Sequence, residues 1–236
     1  MKFVHLHVHS HYSLLDGLTN IDELIQTIKE DGASAVAITD HGVMYGVIDF
    51  YQKCLKAEIK PIIGVEAYLA SGSRFDKLTV DDEKRNYHLL LLAENNQGYK
   101  NLIKLTSIAH LEGFYYKPRI DWELLQQYHE GIIACTACLA GEIPTLIRSG
   151  KIEQAKKRIL EYNDLFGQDN FFLELQRHTE IPEQKLVNDK VIELSRELHI
   201  PLVATNDVHY LKRKTTKHRT FYCVYRTRKK LMILTE

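Results

Sequence analysis

The stretch Ala35-Val36-Ala37-Ile38-Thr39-Asp40-His41-Gly42 decides the fold. Its opening apolar run suits a strand covered on both faces. It closes on a carboxylate, an imidazole and a glycine, so a strand over 35–40 carries its polar chemistry at its C-terminal end. Just upstream, residues 20–31 place Ile21, Leu24, Ile25 and Ile28 at helical spacing and stop near Gly32. Helix, turn and strand in this order are the repeat of a parallel α/β fold.

The unit recurs in both directions. Further strands are read over 3–7, 62–68, 88–93, 132–138, 171–176 and 202–207, and further helices over 45–57, 97–110, 151–166 and 183–199. Pro182 suits the first turn of the last of these helices. Seven such strands argue for a closed barrel. A doubly wound open sheet is the alternative, but no glycine-rich phosphate loop follows the first strand. Residues 71–86 are polar and read as a surface loop.

Bulk properties narrow the class. At 236 residues the chain can bury a sizeable core as one large domain or two small ones, and 44% hydrophobic with 26% charged residues is an ordinary soluble composition. Lys+Arg and Asp+Glu balance at 31 each, so net charge gives no argument for nucleic-acid binding. No long apolar stretch follows Met1, and no window approaches a membrane span. Cys54, Cys135, Cys138 and Cys223 do not form a disulfide framework in a chain of this length. The expectation is a cytoplasmic protein with reduced thiols and no membrane partner.

The polar groups gather at strand ends. The first strand runs into His5-Leu6-His7-Val8-His9, the second into Asp40-His41, and the third carries Glu66. The fourth opens with His88, the fifth ends at Cys138, and the seventh ends in Asn206-Asp207-Val208-His209. Singly, each has an ordinary structural reading, although a carboxylate such as Glu66 in an apolar run is costly to bury. Jointly, chance does not place such groups at six of seven strand ends. In an α/β barrel the C-terminal strand ends converge on one face. Residues two apart on a strand share a face, so His7 with His9, and Asp207 with His209, form pincers. His5 shares that parity and is not excluded by it. A mixed nitrogen and oxygen donor set with at most one sulfur suits two or three metal ions rather than a structural zinc site. Clustered metals suit phosphate-ester hydrolysis.

At these residues the chain resembles the polymerase and histidinol phosphatase (PHP) family, most nearly the branch that forms the N-terminal domain of bacterial DNA polymerase III alpha subunits. The strings that carry the resemblance include 3–10 (FVHLHVHS), 12–17 (YSLLDG), 37–42 (AITDHG), 60–68 (KPIIGVEAY), 111–119 (LEGFYYKPR), 141–144 (GEIP) and 204–210 (ATNDVHY). The resemblance implies a distorted (β/α)7 TIM-like barrel. It implies metal ligands at His7, His9, Asp16, His41, Glu66, His88, Cys138, Asp207 and His209, with Asp40, Glu174 and His178 as neighbours. Asp16 and Cys138 take places that are histidines in the small phosphatases. His41, Asp40 and His209 are the residues implied to stand nearest the reaction. Two or three divalent ions are implied, zinc first, with manganese or magnesium as alternatives. The activity implied is phosphodiester hydrolysis, including 3′–5′ exonuclease proofreading on a DNA 3′ end, with other replicase domains and subunits as partners. Nucleotidyl transfer itself belongs to other domains of such polymerases. A metal-stabilised docking module and a stand-alone phosphatase for small phosphomonoesters are the competing functions.

The resemblance spans residues 1–212 and stops there. Residues 213–236 form a basic run without a clear amphipathic face. They read as a disordered basic tail or, more sharply, a nucleic-acid-binding tail; the preferred reading is a frameshifted translation. In a shifted frame the codons of 218–225 can encode Gln-Asp-Val-Leu-Leu-Cys-Ile-Gln, a string of the family. A missing closing helix and marginal stability are the expected consequences.

Overall fold

The computed structural model describes residues 2–14, 16–77 and 86–211. The elements run α1 (Ile21–Glu30), β1 (Ala35–Ile38), α2 (Val47–Lys56), β2 (Lys60–Leu69), β3 (Tyr87–Ala93), α3 (Asn96–Leu111), β4 (Arg119–Ile120) and α4 (Trp122–Tyr128). They continue with β5 (Ile132–Cys135), α5 (Glu142–Arg148), α6 (Ile152–Phe166), β6 (Phe171–Gln176), α7 (Pro182–Leu198) and β7 (Leu202–Thr205). The sheet order is β1-β2-β3-β5-β6-β7, with two-residue β4 beside β2. The tail expected over 213–236 lies outside the described residues. Among those residues no helix is long and apolar enough to cross a membrane.

The N-terminal segment closes the curl. It was read as a strand over 3–7, but it pairs only through single bridges, His5 to Val36 and Val8 to Val208. Backbone bonds from Ala37 N to His5 O (2.9 Å) and from His9 N to Val208 O (2.7 Å) tie it to the residues of β1 and to the turn after β7. Seven staves therefore surround one interior, as a distorted (β/α)7 barrel requires.

The sheet is not wholly parallel. β3 runs antiparallel to both β2 and β5. The connection from β2 to β3 contains no described helix, and without a crossover the chain returns in the opposite sense. Helices α4 and α5 were not read from the sequence. Each has only seven residues, too few for a periodic apolar stripe.

Alternation along the strands sorts side chains between two environments. Val65, Ala67, Leu69, Leu89, Leu91, Phe171 and Leu173 face outward into the core shared with the helices. The residues between them, Glu66, His88, Leu90, Phe172 and Glu174, face the interior, as a period of two dictates. A second core joins β1 to α1 and α2 through Val36, Ile38, Ile21, Leu24, Phe50 and Cys54. Asn20 starts α1 by accepting hydrogen bonds from Asp22 N and Glu23 N. The polar loop after β2 is pinned where it is described. The guanidinium of Arg74 lies 3.0 Å from Asp121 and 2.8 Å from Glu112.

Candidate metal centre

In three strands ladder pairing stops before the ligands begin, whereas Glu66 and His88 lie within the paired β2 and β3. β1 ends at Ile38, β5 at Cys135 and β7 at Thr205, each two or three residues short of its candidate side chains. The chain then turns through left-handed backbone at Gly42 (φ 63°), Ala137 (φ 58°) and Asp207 (φ 48°). Gly42 has no alternative, because a Cβ there would lie 2.8 Å from Pro118 and 3.1 Å from Tyr68. Since β3 is antiparallel, His88 at its start reaches the same rim as the ends of its neighbours. His88 pairs with Tyr68 near the end of β2.

Glu66 is the hub. Its Oε1 lies 3.2 Å from His7 Nε2 and 3.0 Å from His88 Nδ1. Its Oε2 lies 2.7 Å from His41 Nδ1 and 3.4 Å from His9 Nε2. Cys138 Sγ sits 3.9 Å from Glu66 Oε1 and 3.6 Å from His88 Nδ1. A second carboxylate, Asp207, approaches His9 Nε2 at 3.2 Å and His7 Nε2 at 3.4 Å. His209 Nδ1 lies 2.9 Å from the Asp207 carbonyl, and its ring stands 4.3 Å from that of His9. Asp16 Oδ2 lies 3.3 Å from His41 Nε2. All nine residues carried over by resemblance thus meet in one cluster.

Donor atoms of His9, His41 and His209 lie within 4.8 Å of one another, as do those of His7, His9 and Glu66, and those of His41, Glu66 and His88. These overlapping triads fit divalent cations by donor chemistry, imidazole with carboxylate. The orphaned lone pairs agree. His7 Nε2, His41 Nδ1 and Glu66 Oε2 are buried and lack a hydrogen-bond partner. The pair His41 and Glu66 is close at 2.7 Å yet misaligned for a hydrogen bond, so proximity without bonding points to a shared third partner.

Charge follows this geometry. Burial opposes ionisation of Glu66, but His88, His7 and His41 hold it well below the usual carboxylate range. Burial also opposes protonation of His41, and Glu66 with Asp16 overrides it, raising the imidazole to about 10. His7 rises likewise against burial through Asp207, Glu66 and Glu174. His9 falls to about 3 through burial and the neighbouring His41. Burial, with Glu66 and Asp207 beside it, pushes the Cys138 thiol well up.

A model of the PHP domain matches residues 5–178. The chain belongs to the PHP domain family. DNA polymerase III subunit alpha of Borreliella burgdorferi is 53% identical over 213 residues, 90% of this chain and 18% of the relative. The Treponema pallidum protein of the same name is 49% identical over 214 residues, 91% of this chain and again 18% of the relative. The chain therefore spans less than a fifth of these relatives. Among solved structures, an amidohydrolase from Chromobacterium violaceum, with bound sulfate and no metal, aligns with a TM-score of 0.52. It covers 88% of this chain and 87% of its own at 14% identity, a likeness of fold alone.

Several residues of this PHP domain act behind the cluster. Glu174 Oε1 lies 2.8 Å from His7 Nδ1 and turns Nε2 of that ring toward Glu66. It is held in turn by Gln176 Nε2 at 3.0 Å and by the Thr205 hydroxyl. Ser13 Oγ lies 3.4 Å from His9 Nδ1 and accepts the His41 backbone N–H at 3.1 Å. Gln176, Thr205 and Ser13 were not singled out from sequence. Gln176 does share the parity of Glu174, which was the available signal.

Three candidates stand outside. Asp40 accepts from Ser10 N at 2.6 Å and from Ser10 Oγ at 2.9 Å, and burial raises its carboxyl to about 6. It secures the loop that carries Ser13 and supplies no donor to the triads. His178 lies in the turn after β6 and, among the described residues, bonds no member of the cluster. His5 points away beside Phe3, with ring centroids 4.9 Å apart. A bend at His7 breaks the strict alternation and resolves the parity that sequence left open.

Proposed function

We propose that this PHP domain hydrolyses phosphodiesters at a DNA 3′ end, as a metal-dependent module of a DNA polymerase III alpha-type replicase in the cytoplasm. The observation that carries the reading is the group of buried donors around Glu66 that lack hydrogen-bond partners. His7, His9, Asp16, His41, Glu66, His88, Cys138, Asp207 and His209 would hold two or three divalent ions, zinc first, with manganese or magnesium as alternatives. Such ions supply charge for phosphate oxygens and acidity for an attacking water. The chain's own residues supply the rest. His7, His9 and Glu66 are at most 1% exposed and form a dry floor, while the Asp16 and His88 side chains, each 19% exposed, mark the side from which a substrate arrives. Asp207 and Glu66 balance the cations. His41 and His209 flank the opening, and Asp40 positions Ser13 without touching the substrate.

The test is cleavage of a 3′-mismatched primer with added Mn²⁺ or Zn²⁺. His9→Ala and Asp207→Ala should abolish it, and unchanged cleavage in either variant would sink the proposal. A second reading, a metal-stabilised docking module without turnover, is favoured by the burial of the floor. It predicts bound metal, raised melting temperature and no cleavage. A panel of small phosphomonoesters tests the stand-alone phosphatase. The division at residue 212 and the frameshifted tail are part of the same proposal, and the coding nucleotide sequence decides them.

A further inference from the structure

Beside the candidate metal centre lies a row of exposed rings. Tyr45 and Phe114 are 61% and 55% exposed. His110 stands between them, its ring 6.5 Å from Tyr45 and 6.2 Å from Phe114, the latter at an interplanar angle of 30°. A cleft of about 520 Å³ opens between the 43–45 turn and one side of α3, with Tyr45 and His110 in its lining and Phe114 beyond it. The row is keyed to the cluster. The His110 ring nitrogen Nε2 lies 3.1 Å from the carbonyl oxygen of Gly42, the residue after His41. Gly42 N donates in turn to Glu66 O at 2.8 Å.

Cations accompany the rings. Lys100 and Lys104 lie exposed on the ridge of α3 that carries Ile103, Ser107 and Leu111. Lys117 donates to the Tyr68 hydroxyl at 3.1 Å, and the Tyr68 ring stands 5.8 Å from His41 and 5.3 Å from His88. The nearby acid Glu112 is engaged by Arg74. The loop that bears Phe114 and Lys117 is fixed, because the Arg119 guanidinium donates to the carbonyls of Gly113, Asp76 and Arg74 at 2.8–3.0 Å.

We propose that Tyr45, His110 and Phe114, with Lys100, Lys104 and Lys117, form a platform that stacks unpaired nucleotides of a DNA strand and leads its 3′ end to the metal centre. This rests on the hydrolase reading above and deepens it by naming the substrate as single-stranded. Exposed ring faces, with lysines farther along the same helix ridge and on the neighbouring loop, suit bases and backbone together. Duplex DNA keeps its bases stacked within and offers these rings nothing to stack on.

The probe is a fluorescein-labelled phosphorothioate oligothymidylate of about 12 nucleotides, a length within the span of known single-strand sites. Its anisotropy is followed with the Mn²⁺-loaded full chain, against a blunt duplex of equal length. The single strand should bind at least about tenfold tighter, and Tyr45→Ala with Phe114→Ala should weaken it by about tenfold or more. Tyr45→Phe with Phe114→Tyr should restore it, and metal content should not change in either pair. Equal affinity of the alanine pair and the wild type, a preference for duplex, or no rescue by the aromatic pair would overturn the platform. Ring-dependent binding without cleavage of a mismatched primer would refute the hydrolase and keep the platform. Cleavage with unaltered KM in the alanine pair would do the reverse.

Discussion

The upper and lower halves of the barrel interior are built from the same strands and share almost no chemistry. β6 turns Phe172 and then Glu174 and Gln176 to the same side. β3, running the other way, turns His88 at the top and Leu90 below it. The lower half is largely apolar, with Leu90, Cys135, Phe172 and Val203 in one small cluster, and the last three of these line a cleft of about 480 Å³. The upper half buries His7, His9, Glu66, Glu174 and Gln176. One pleat repeat, two residues and about 7 Å, separates an oily plug from a ligand cage. The lower half and the outer cores carry the apolar burial of the fold. The upper half costs desolvation and keeps donors unbonded, a burden that a bound cation would relieve.

The sharpest way to break this contrast is Glu66→Gln, which keeps the shape of the hub and removes its charge. Zinc affinity measured by competition with a chelator should fall by more than about a hundredfold, beyond the 10–100-fold typical of residues that support ligands from behind. A loss under tenfold would show that Glu66 is not the hub.

Leu90→Ala should act in the opposite sense. Denaturant unfolding should show a loss of about 2–5 kcal/mol, the usual cost of truncating a buried leucine. Metal stoichiometry should stay unchanged. If metal is lost along with stability, the two halves are not separable.

Glu174→Gln should have an intermediate effect. It leaves His7 in place but weakens the acceptor that orients its ring, so affinity should drop by about 10–100-fold with the stoichiometry intact. Equilibrium dialysis separates the two quantities.

The smallest effect concerns pH in the metal-free chain. The folded state raises His41 from 6.5 to about 10 and so keeps a proton that the unfolded state releases above 6.5. Stability from this group is full below 6.5 and is lost as pH rises through about 10, by about 1.4 kcal/mol per pH unit for one proton. On the acid side, Asp16 lowered to about 2 and His9 lowered to about 3 make the unfolded state the better proton binder, so stability also falls as pH drops. Thermal melts at pH 7 and 9 should show the alkaline decline without metal and not with it. Identical slopes would mean that His41 does not carry the charge assigned to it.

Much of this contrast was legible in the chain. Glu66 in an apolar run, His7 with His9, and Asp207 with His209 are readable because strand parity and strand ends are local properties. The barrel was readable because seven apolar runs recur between amphipathic segments. What escaped depends on the path of the chain in three dimensions. The reversal of β3 comes from its connection, not from its residues, yet it brings His88 to the right rim. The bend at His7 separates His5 from His7 although their spacing is that of one face. Asp40 sits beside a ligand in sequence, but both of its oxygens are taken by Ser10. Ser13 and Thr205 are ordinary hydroxyl residues until distant segments place them against His9 and Glu174. The ring row needed α3 and the 43–45 turn side by side, a placement that no single segment encodes.

The central claim is that the upper interior is a cage for divalent cations. Equilibrium dialysis of the purified full chain against Zn²⁺ or Mn²⁺, followed by elemental analysis, tests it most directly. The chain should retain two or three equivalents, and His9→Ala and Asp207→Ala should retain fewer while keeping the same far-ultraviolet circular dichroism. Retention of less than one equivalent by the folded wild-type chain would contradict it.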